Sequence, residues 1–463
     1  MKKIITAAAV LTVFLMFSCT PNYNKQMQES EKLFYSGKYL QAAKLLLKKV
    51  NTKNKDQLLF MMECGAMFNA GNDYKRSNVA LLAAEKLYPT LAASVSKQAA
   101  SIILNETTTN YRGENFELVL IHMYAGINFY RLGEIDDARV EFMKVSNLLA
   151  SFKLDKNRKY DENLLAKYLT AVCYEMLGDI NNDLNDIEYA YVELKQIYAI
   201  NPNLPYLGQD LMRLASKLRD NEDLSMWQKK FGRYRKENPD SADFVLVFQA
   251  GRSAIKKSRG KLLQDVAMRA AIDVSIRGIS LQQGVTAAGI IVALGVAEHP
   301  IPKFEKRSNK IDHIDIIIDG KKAGSTFNMV DVDKAAFLTM DDKYDKLMAK
   351  AAAGVVTKAV ISIVSGYSAK KIAEATDIPF AGLIGAATGA GVGAGLASQI
   401  KPDLRCWHSL PSNFQFFKIS MPVGEYNIDL NYIDAAGNIV SKKSDKVKIE
   451  KDKDILVNLR TTY

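Results

Sequence analysis

The stretches Phe-Tyr-Ser-Gly-Lys-Tyr at residues 34–39 and Tyr-Arg-Leu-Gly-Glu-Ile at residues 130–135 decide the fold of the N-terminal half. The same glycine-to-alanine interval recurs in both: Gly37 with Ala42, and Gly133 with Ala138. Glycine tolerates the left-handed backbone conformation that commonly ends a helix. Each stretch therefore predicts the turn between two consecutive helices.

Small residues followed by aromatic residues recur along the same region. Two windows have identical intervals wherever they overlap: Gly65, Phe68, Leu81, Ala84 and Pro89 in one, and Gly126, Phe129, Phe142 and Val145 in the other. A small residue on one helix lets a second helix approach closely, while larger apolar residues fill the groove between neighbouring pairs. Residues 25–238 are therefore predicted to form stacked helix pairs, with Tyr39 among the packing residues.

These repeats resemble the tetratricopeptide (TPR) repeat, whose internal period is about 34 residues. A fourth unit runs from Leu164 through Gly178 to Pro202, and a degenerate fifth around 211–231 looks like a capping pair. TPR arrays usually bind peptides or partner proteins in a concave groove. The resemblance implies a protein-binding scaffold.

A polar and aromatic stretch at 107–117, followed by His122, interrupts the repeats. Its candidate site residues are Tyr111, Arg112, Gly113, Glu114, Glu117 and His122. Together with Trp407-His408-Ser409-Leu410-Pro411, the stretch resembles an uncharacterised family of bacterial TPR-containing envelope lipoproteins, to which no reaction is assigned. The motif residues line a ligand site in one interpretation. In the other, which we favour, they lock an extended segment onto the repeat stack.

The N-terminus is typical of a signal peptide over residues 1–18. Lys2 and Lys3 precede an apolar run from Ile4 to Phe17 that is too short to span a bilayer permanently. Met16-Phe17-Ser18-Cys19 resembles a lipobox, which implies acylation of Cys19 and a tether over residues 19–24. The alternative is an ordinary secretory signal with an incidental cysteine. Since Thr20 is not aspartate, we expect an outer-membrane lipoprotein facing the periplasm, with the cell surface or inner membrane as alternatives.

The fold changes near Pro239, where residues 239–404 are predicted to form a mixed α/β domain. Strands are expected at 244–248, at 311–318 closing on an Asp319-Gly320 turn, and at 325–330. Residues 284–296 fit a helix or a buried hairpin. Residues 334–367 read as one long helix, because Ala351, Val355, Ala359 and Ile363 share one face.

Residues 378–400 are dominated by Gly, Ala and aliphatic residues. Gly385, Gly389 and Gly393 recur every fourth residue and resemble a glycine zipper. The segment is expected to pack as a helix or form a loop within the domain, and membrane insertion is the alternative.

Residues 405–463 alternate between apolar and polar residues, which predicts a small antiparallel β unit. Its four strands are expected at 414–421, 427–433, 440–449 and 455–459. Trp407 is expected to cap the core of this unit, with Leu410 and Pro411 completing its motif. The predicted fold class is therefore mainly α with an α+β C-terminal half.

The composition argues against several functional classes. The net charge of +11 comes from dispersed Lys and Arg residues, so no nucleic-acid partner is expected. Apart from Cys19, the cysteines Cys64, Cys173 and Cys406 are odd in number and far apart, and the first two are expected to be buried apolar residues.

Catalytic signatures are not found in the sequence. None of the four histidines, His122, His299, His313 and His408, belongs to a ligand-spaced pair. The chain has no Gly-x-Ser-x-Gly elbow, Walker loop or dinucleotide fingerprint. We therefore expect no metal, no cofactor and no enzymatic activity.

The leading hypothesis is a lipid-anchored periplasmic scaffold that binds an envelope protein or peptide through its repeats. The family resemblance implies a partner in the peptidoglycan-synthesis machinery. A membrane-inserting or pore-associated component that uses residues 378–400 is the alternative, and a cell-wall enzyme is the third hypothesis.

Overall fold

The computed structural model describes residues 23–96, 109–154, 162–235, 238, 240–278, 287–375, 400–451 and 453–463. The predicted signal peptide and Cys19 lie outside these ranges. So do residues 378–399, which are all of the Gly/Ala-rich segment except Ile400. The first described helix begins at Tyr23, within the predicted tether.

The N-terminal half consists of consecutive helices connected by short turns or by longer segments. The helices described up to residue 231 are α1 (Tyr23–Tyr35), α2 (Tyr39–Val50), α3 (Gln57–Ala70), α4 (Tyr74–Ser96), α5 (Asn115–Leu132), α6 (Ile135–Leu154), α7 (Leu164–Asn181), α8 (Leu184–Ile200), α9 (Leu207–Lys217) and α10 (Asn221–Phe231). They pack as five successive pairs, from α1 with α2 to α9 with α10. The prediction of TPR-like stacked pairs is confirmed.

Close approach within a pair depends on glycine in the first helix. A Cβ atom on Gly65 would lie 2.5 Å from Leu81 Cδ2, and one on Gly126 would lie 2.5 Å from Phe142 Cε1. The turn glycine Gly133 adopts a left-handed conformation with φ of 79°. The other predicted packing residues are placed as follows: Ala42, Phe68, Ala84 and Ala138 are buried, Tyr39 and Phe129 are half-buried, and Gly37 repeats the left-handed turn.

The C-terminal half contains two four-stranded sheets and a small two-stranded one. Its strands are β1 (Ser241–Ala250), β2 (Ile255–Lys257), β3 (Lys303–Glu305), β4 (His313–Ile318), β5 (Lys321–Ser325), β6 (Phe327–Asp331), β7 (Asn413–Pro422), β8 (Gly424–Ile433), β9 (Ile439–Ile449) and β10 (Ile455–Arg460). The first sheet has the order β10-β1-β7-β6, the second β5-β4-β8-β9, and β2 pairs with β3.

The sheet pairing corrects the expectation of a separate β unit at 405–463. Strands β7 and β10 flank β1, with β10 parallel to it, whereas β8 pairs with β4 in the other sheet. The physical reason lies in β1, whose residues from Phe244 to Ala250 are all buried. The backbone N–H and C=O groups of a buried strand need hydrogen-bond partners at both edges, and the C-terminal segment supplies them.

The predicted hairpin at Asp319-Gly320 is present, but its second strand is β5, earlier than expected. The expected strand at 325–330 is β6, which pairs with β7 in the first sheet. Alternate β1 residues, including Phe244 and Leu246, pack against β4 and β8 to form the core between the two sheets.

The helices of this half are α11 (Val266–Arg277), α12 (Ala287–Leu294) and α13 (Val332–Ala375). The sequence of residues 284–296 fits either a helix or a buried hairpin, and α12 shows that a helix forms within this segment. Helix α13 confirms the long helix predicted there, with Ala351, Val355 and Ala359 buried on one face. Among the described helices, none has the length and apolar character needed to cross a membrane.

The two halves meet along the first helices of the pairs, which we call the first-helix face. Residues 58–69 of α3, 116–128 of α5 and 165–174 of α7 are buried without interruption. A helix that is buried on every side needs cover beyond its partner helix. The first sheet and the irregular segment 403–412 provide that cover.

Candidate functional site

The sequence motif lies at the start of α5. Gly113 has a left-handed φ of 77°, and Glu114 and Glu117 then form a reciprocal capping box at the helix N-terminus. The backbone N–H of Glu114 donates to Glu117 Oε2 over 2.8 Å. Arg112 is exposed. The local sequence therefore folds as a helix start that turns its acidic side chains inward.

Glu117 joins the repeats to the C-terminal half. It is fully buried, and its Oε2 also accepts the hydroxyl of Tyr111. Its Oε1 accepts the backbone N–H of Trp407 over 2.7 Å. Burial raises the pKa of Glu117 despite the nearby Lys256. Both oxygens of this carboxylate thus have donors from two distant parts of the chain.

Glu114 makes a second connection, through lysines. Lys256 Nζ lies 2.5 Å from Glu114 Oε1, and Lys343 Nζ lies 3.0 Å from Glu114 Oε2. Burial alone would raise the pKa of Glu114, but the two ammonium groups outweigh it and hold that pKa well below its usual range. We call Tyr111, Glu114, Glu117, Lys256 and Trp407 the Glu117 seam.

The sequence predicts that Trp407 caps the core of the C-terminal strands, but the structure places the residue elsewhere. Its ring is 1% exposed and its centroid lies 5.6 Å from that of Tyr124 on α5. The indole N–H donates to Ser409 Oγ over 2.9 Å. Leu410 and Pro411 are also buried. Helix α5 is buried on every side over residues 116–128, and Trp407 packs against it at the boundary between the halves.

Glu63 is a second carboxylate that holds the irregular segment, and it is absent from the residues predicted from the sequence. This fully buried side chain accepts the hydroxyl of Tyr23 over 2.6 Å and the backbone N–H groups of His408 and Ser409 over 2.6 and 3.1 Å. A lone carboxylate in the otherwise apolar stretch around it is the signal that could have revealed it. Glu63 and Glu117 thus hold consecutive parts of one irregular segment.

Arg405 extends these contacts. Its guanidinium lies 2.7 Å from both Asp56 and Asp403, and it donates to the carbonyl of Thr109 over 3.0 Å. It also lies over the Tyr111 ring at 5.3 Å. These contacts connect the residues before α3 and before α5 with the irregular segment.

His122 lies apart from the other motif residues, in a buried cluster between α4, α5 and α6. Its Nδ1 is 2.8 Å from Glu141 Oε2, and Glu85 completes three side chains whose donor atoms could hold a metal. Lys144 Nζ, however, lies 2.7 Å from Glu141 and 2.8 Å from Glu85. Because the Lys144 ammonium group already bridges both carboxylates, the cluster favours a structural ion network over a metal site.

A second buried seam joins the fourth and fifth pairs to β7. Lys418 Nζ lies 3.0 Å from Asp210 Oδ1 and 2.8 Å from Asp243 Oδ2. Arg213 also contacts Asp210, as does the hydroxyl of Tyr168. Burial and Arg213 would lower the pKa of Lys418, but Asp210 and Asp243 raise it well above its ordinary value. We call Tyr168, Asp210, Arg213, Asp243 and Lys418 the Lys418 seam.

Amide side chains form a further buried network between the first helices and the first sheet. Gln249 of β1 donates to Asn69 over 2.7 Å and to Asn458 over 2.8 Å, while Asn69 donates to Asn128 over 2.7 Å. Tyr124 donates to Gln249 over 3.0 Å. Because these groups are buried and bonded to one another, they fix the register of the sheet against the first helices.

A cavity of about 510 Å³ lies at the edge of the first sheet, lined mainly by apolar side chains and also by polar ones such as Glu162, Asp331 and Lys334. It lies between the third and fourth helix pairs on one side and β6 with the start of α13 on the other. Its walls include Phe116, Leu120, Leu149 and Ala335. Pockets of this size between packed units are usual sites for ligands.

The cysteines are placed as expected. Cys64 and Cys173 are buried, and burial raises the pKa of the Cys64 thiol to about 12. The same cause raises the pKa of Cys173 well above its ordinary value. A reactive thiol needs a lowered pKa, so these two side chains serve as apolar core residues.

Comparison with known proteins supplies structural likeness alone. No family model matches the chain, and no curated protein matches it. Two crystal structures of a Podosopora anserina kinesin light chain with nearly identical TPR-like repeats match at 12% and 13% identity, with TM-scores of 0.29 and 0.28. They cover 45% of this chain and 91% and 96% of their own.

A third solved structure is the Rap conjugation gene regulator of plasmid pLS20 in complex with the Phr* peptide. It matches at 16% identity with a TM-score of 0.25, covering 44% of this chain and 53% of its own. The helix pairs described above, rather than these matches, define the TPR-like architecture of this chain.

Proposed function

We propose that this protein is a lipid-anchored, non-enzymatic scaffold of the bacterial cell envelope that binds another envelope protein. The proposal rests on the TPR-like repeats, on the signal-peptide and lipobox pattern, and on the surface that the repeats leave uncovered. The peptidoglycan-synthesis machinery is the class of partner that the family resemblance implies.

The groove that TPR arrays usually offer to peptides is not the binding surface proposed here. Glu63, Glu117 and Asp210 on the first helices hold the protein's own C-terminal half, and the side chains around them are buried. A partner would have to displace several buried charges at once, each of which costs much free energy when left unpaired.

The second helices of the pairs carry the observation that supports partner binding. Large apolar side chains are exposed on α4 and α8, with Val79 73% exposed, Leu184 62% and Tyr189 55%. Further exposed apolar side chains on second helices are Leu45, Val140, Val192 and Met226. A contiguous exposed apolar surface marks a protein-binding site, and the recurrence of these side chains on second helices supports such a surface here.

Photo-crosslinking in living cells tests this surface. A photoreactive amino acid at Val79, Leu184 or Tyr189 is expected to capture the same envelope protein, because these positions face outward on the second helices. The control position is Ser444 on β9, which is exposed on the opposite half of the molecule. Equal capture from Ser444, or capture of unrelated proteins from each position, would contradict the proposed surface.

The lipid anchor has its own test. Cys19→Ser is expected to abolish incorporation of an alkyne-labelled palmitate and to release the protein from the membrane fraction. Cys173→Ser removes a buried cysteine and is expected to leave the label unchanged. Persistence of the label in Cys19→Ser would show that the anchor has been assigned to the wrong residue.

A further inference from the structure

The cavity of about 510 Å³ adjoins an edge of the first sheet. Strand β6 is the last strand in the order β10-β1-β7-β6, and among the described strands it pairs with β7 alone. Residues 328–331 of this strand line the cavity directly. Among the described residues, a strand edge without a strand partner and a mainly apolar cavity therefore share one location.

The cavity walls are contributed by the helices that face this edge. Phe116, Val119 and Leu120 come from α5, and Leu149 comes from the C-terminal end of α6. Each of these four side chains is less than 10% exposed, so this part of the wall is formed by the packed core of the repeats. On the opposite side Ala335 of α13 leaves room that a larger residue would fill.

An edge strand offers backbone N–H and C=O groups to an added strand. An extended peptide that pairs with such an edge points alternate side chains to the same side, where a pocket can select them. At β6 the cavity lies beside this edge, and its deep wall of Phe116, Val119 and Leu120 is apolar. Neither a helix nor a free lipid chain would use both the edge and the cavity.

The pairing of β6 also limits the length of the added strand. A register shift between Asn328 and Val330 interrupts the ladder with β7. Such bulges bend an edge strand and shorten the part that can pair regularly. Only a short peptide segment fits, with its specificity carried by the side chain in the cavity.

We propose that a short extended segment of a partner protein adds to the edge of β6 and inserts an apolar side chain into the cavity between α5, α6 and α13. This site differs from the second-helix surface of the proposed function. The scaffold proposal stands if this site fails, since crosslinking from Val79 or Leu184 does not pass through it.

The probe is a phage-displayed library of random 12-residue peptides selected on the full-length protein and counter-selected on Ala335→Trp. Enriched peptides are expected to carry apolar residues at alternating positions. A synthetic peptide of the enriched sequence is expected to bind Ala335→Trp at least tenfold more weakly than the wild type. The control Ala353→Trp lies on the exposed side of the same helix and is expected to bind as the wild type does.

A second measurement uses the wild-type protein and changes only the peptide. Methylation of single backbone nitrogens along the peptide is expected to abolish binding at alternate positions, because those N–H groups pair with β6, and to be tolerated at the positions between them. Tolerance at every position, apolar residues enriched at helical spacing, or equal affinity for Ala335→Trp would each overturn the proposal. So would a selection that enriches no peptide while cis-parinaric acid binds the wild type and not Ala335→Trp, since that result identifies a lipid site.

Discussion

The Glu117 seam and the Lys418 seam both bury charge between the repeats and the C-terminal half, but Glu117 and Asp210 have different partners. Glu117 accepts a backbone N–H from the irregular segment at Trp407. Asp210 instead contacts side chains, those of Lys418 and Arg213. The difference follows from what lies opposite each carboxylate.

Backbone N–H groups that are buried need an acceptor. Strand β7, which carries Lys418, satisfies its own N–H groups within the sheet. Residues 407–409 have no strand partner, so Glu117 and Glu63 accept their N–H groups instead. Where the opposite segment has no strand partner, a carboxylate at this boundary accepts that segment's backbone N–H groups. Where the opposite segment is a strand, the carboxylate pairs with a charged side chain instead.

The largest effect is expected in the Lys418 seam. Lys418→Met keeps the length of the side chain but leaves Asp210 and Asp243 without their shared ammonium group. Breaking a buried ion pair costs about 3–5 kcal/mol, so the free energy of unfolding, measured with urea, should fall by that amount. Lys446→Met, on the exposed edge strand β9, is the matched control and should change it little.

The double variant Lys418→Met with Asp210→Asn sharpens this result. If the cost arises from an uncompensated carboxylate, the second substitution should restore part of the lost stability. Strictly additive losses would show that Lys418 acts through packing rather than through charge.

A smaller and more local effect is expected from Glu117→Gln. Both Glu117 oxygens accept hydrogen bonds, so an amide leaves one buried donor facing another. An unsatisfied buried donor costs about 1–3 kcal/mol. The free energy of unfolding should fall within that range, and Glu134→Gln, an exposed carboxyl just beyond α5, should leave it unchanged.

The fluorescence emission of Trp407 distinguishes a disrupted Glu117 seam from a disrupted Lys418 seam. The chain has two tryptophans, so Trp227→Phe leaves Trp407 as the single fluorophore. In that background Glu117→Gln should shift the native emission to longer wavelength, because the segment carrying Trp407 loses its anchor. Lys418→Met should not. A shift of equal size in both variants would remove the distinction between the seams.

Local periodicity was enough to predict the repeats. The intervals shared by Gly65 and Gly126 reflect contacts between neighbouring helices, which are close in sequence. The sheet order could not be obtained in this way, because β1 finds both its neighbours more than 150 residues later in the chain. Strand positions are local properties, whereas strand partners are not.

The candidate site was predictable only in part, for a related reason. The motif from Tyr111 to Glu117 interrupts a periodic pattern and therefore stands out. Glu63 and Lys418 do not interrupt anything, since each is a single charge within an apolar helix or strand. Their importance depends on partners from distant segments, and one sequence gives no direct measure of such pairing.

The smallest effect concerns the pH dependence of the Lys418 seam. Asp454 lies at the start of β10, beside Asp243, and accepts the backbone N–H of Asp243 over 2.7 Å. Burial and the neighbouring charge of Asp243 raise the pKa of Asp454 to about 6. The folded protein therefore holds this proton more tightly than the unfolded chain, in which the pKa is about 3.8.

A raised carboxyl pKa stabilises the folded state at low pH, and this contribution is lost as the pH rises toward 6. The amide in the Asp454→Asn variant is uncharged at every pH, so the variant does not lose stability in this way as the pH rises. The difference in unfolding free energy between Asp454→Asn and the wild type should therefore grow by on the order of 1 kcal/mol between pH 4 and pH 7, in favour of the variant. Asp240→Asn, an exposed neighbour, should show no such trend. A difference that stays constant with pH would mean that Asp454 ionises as easily in the folded protein as in the unfolded chain, and that the Lys418 seam carries no excess negative charge at this end.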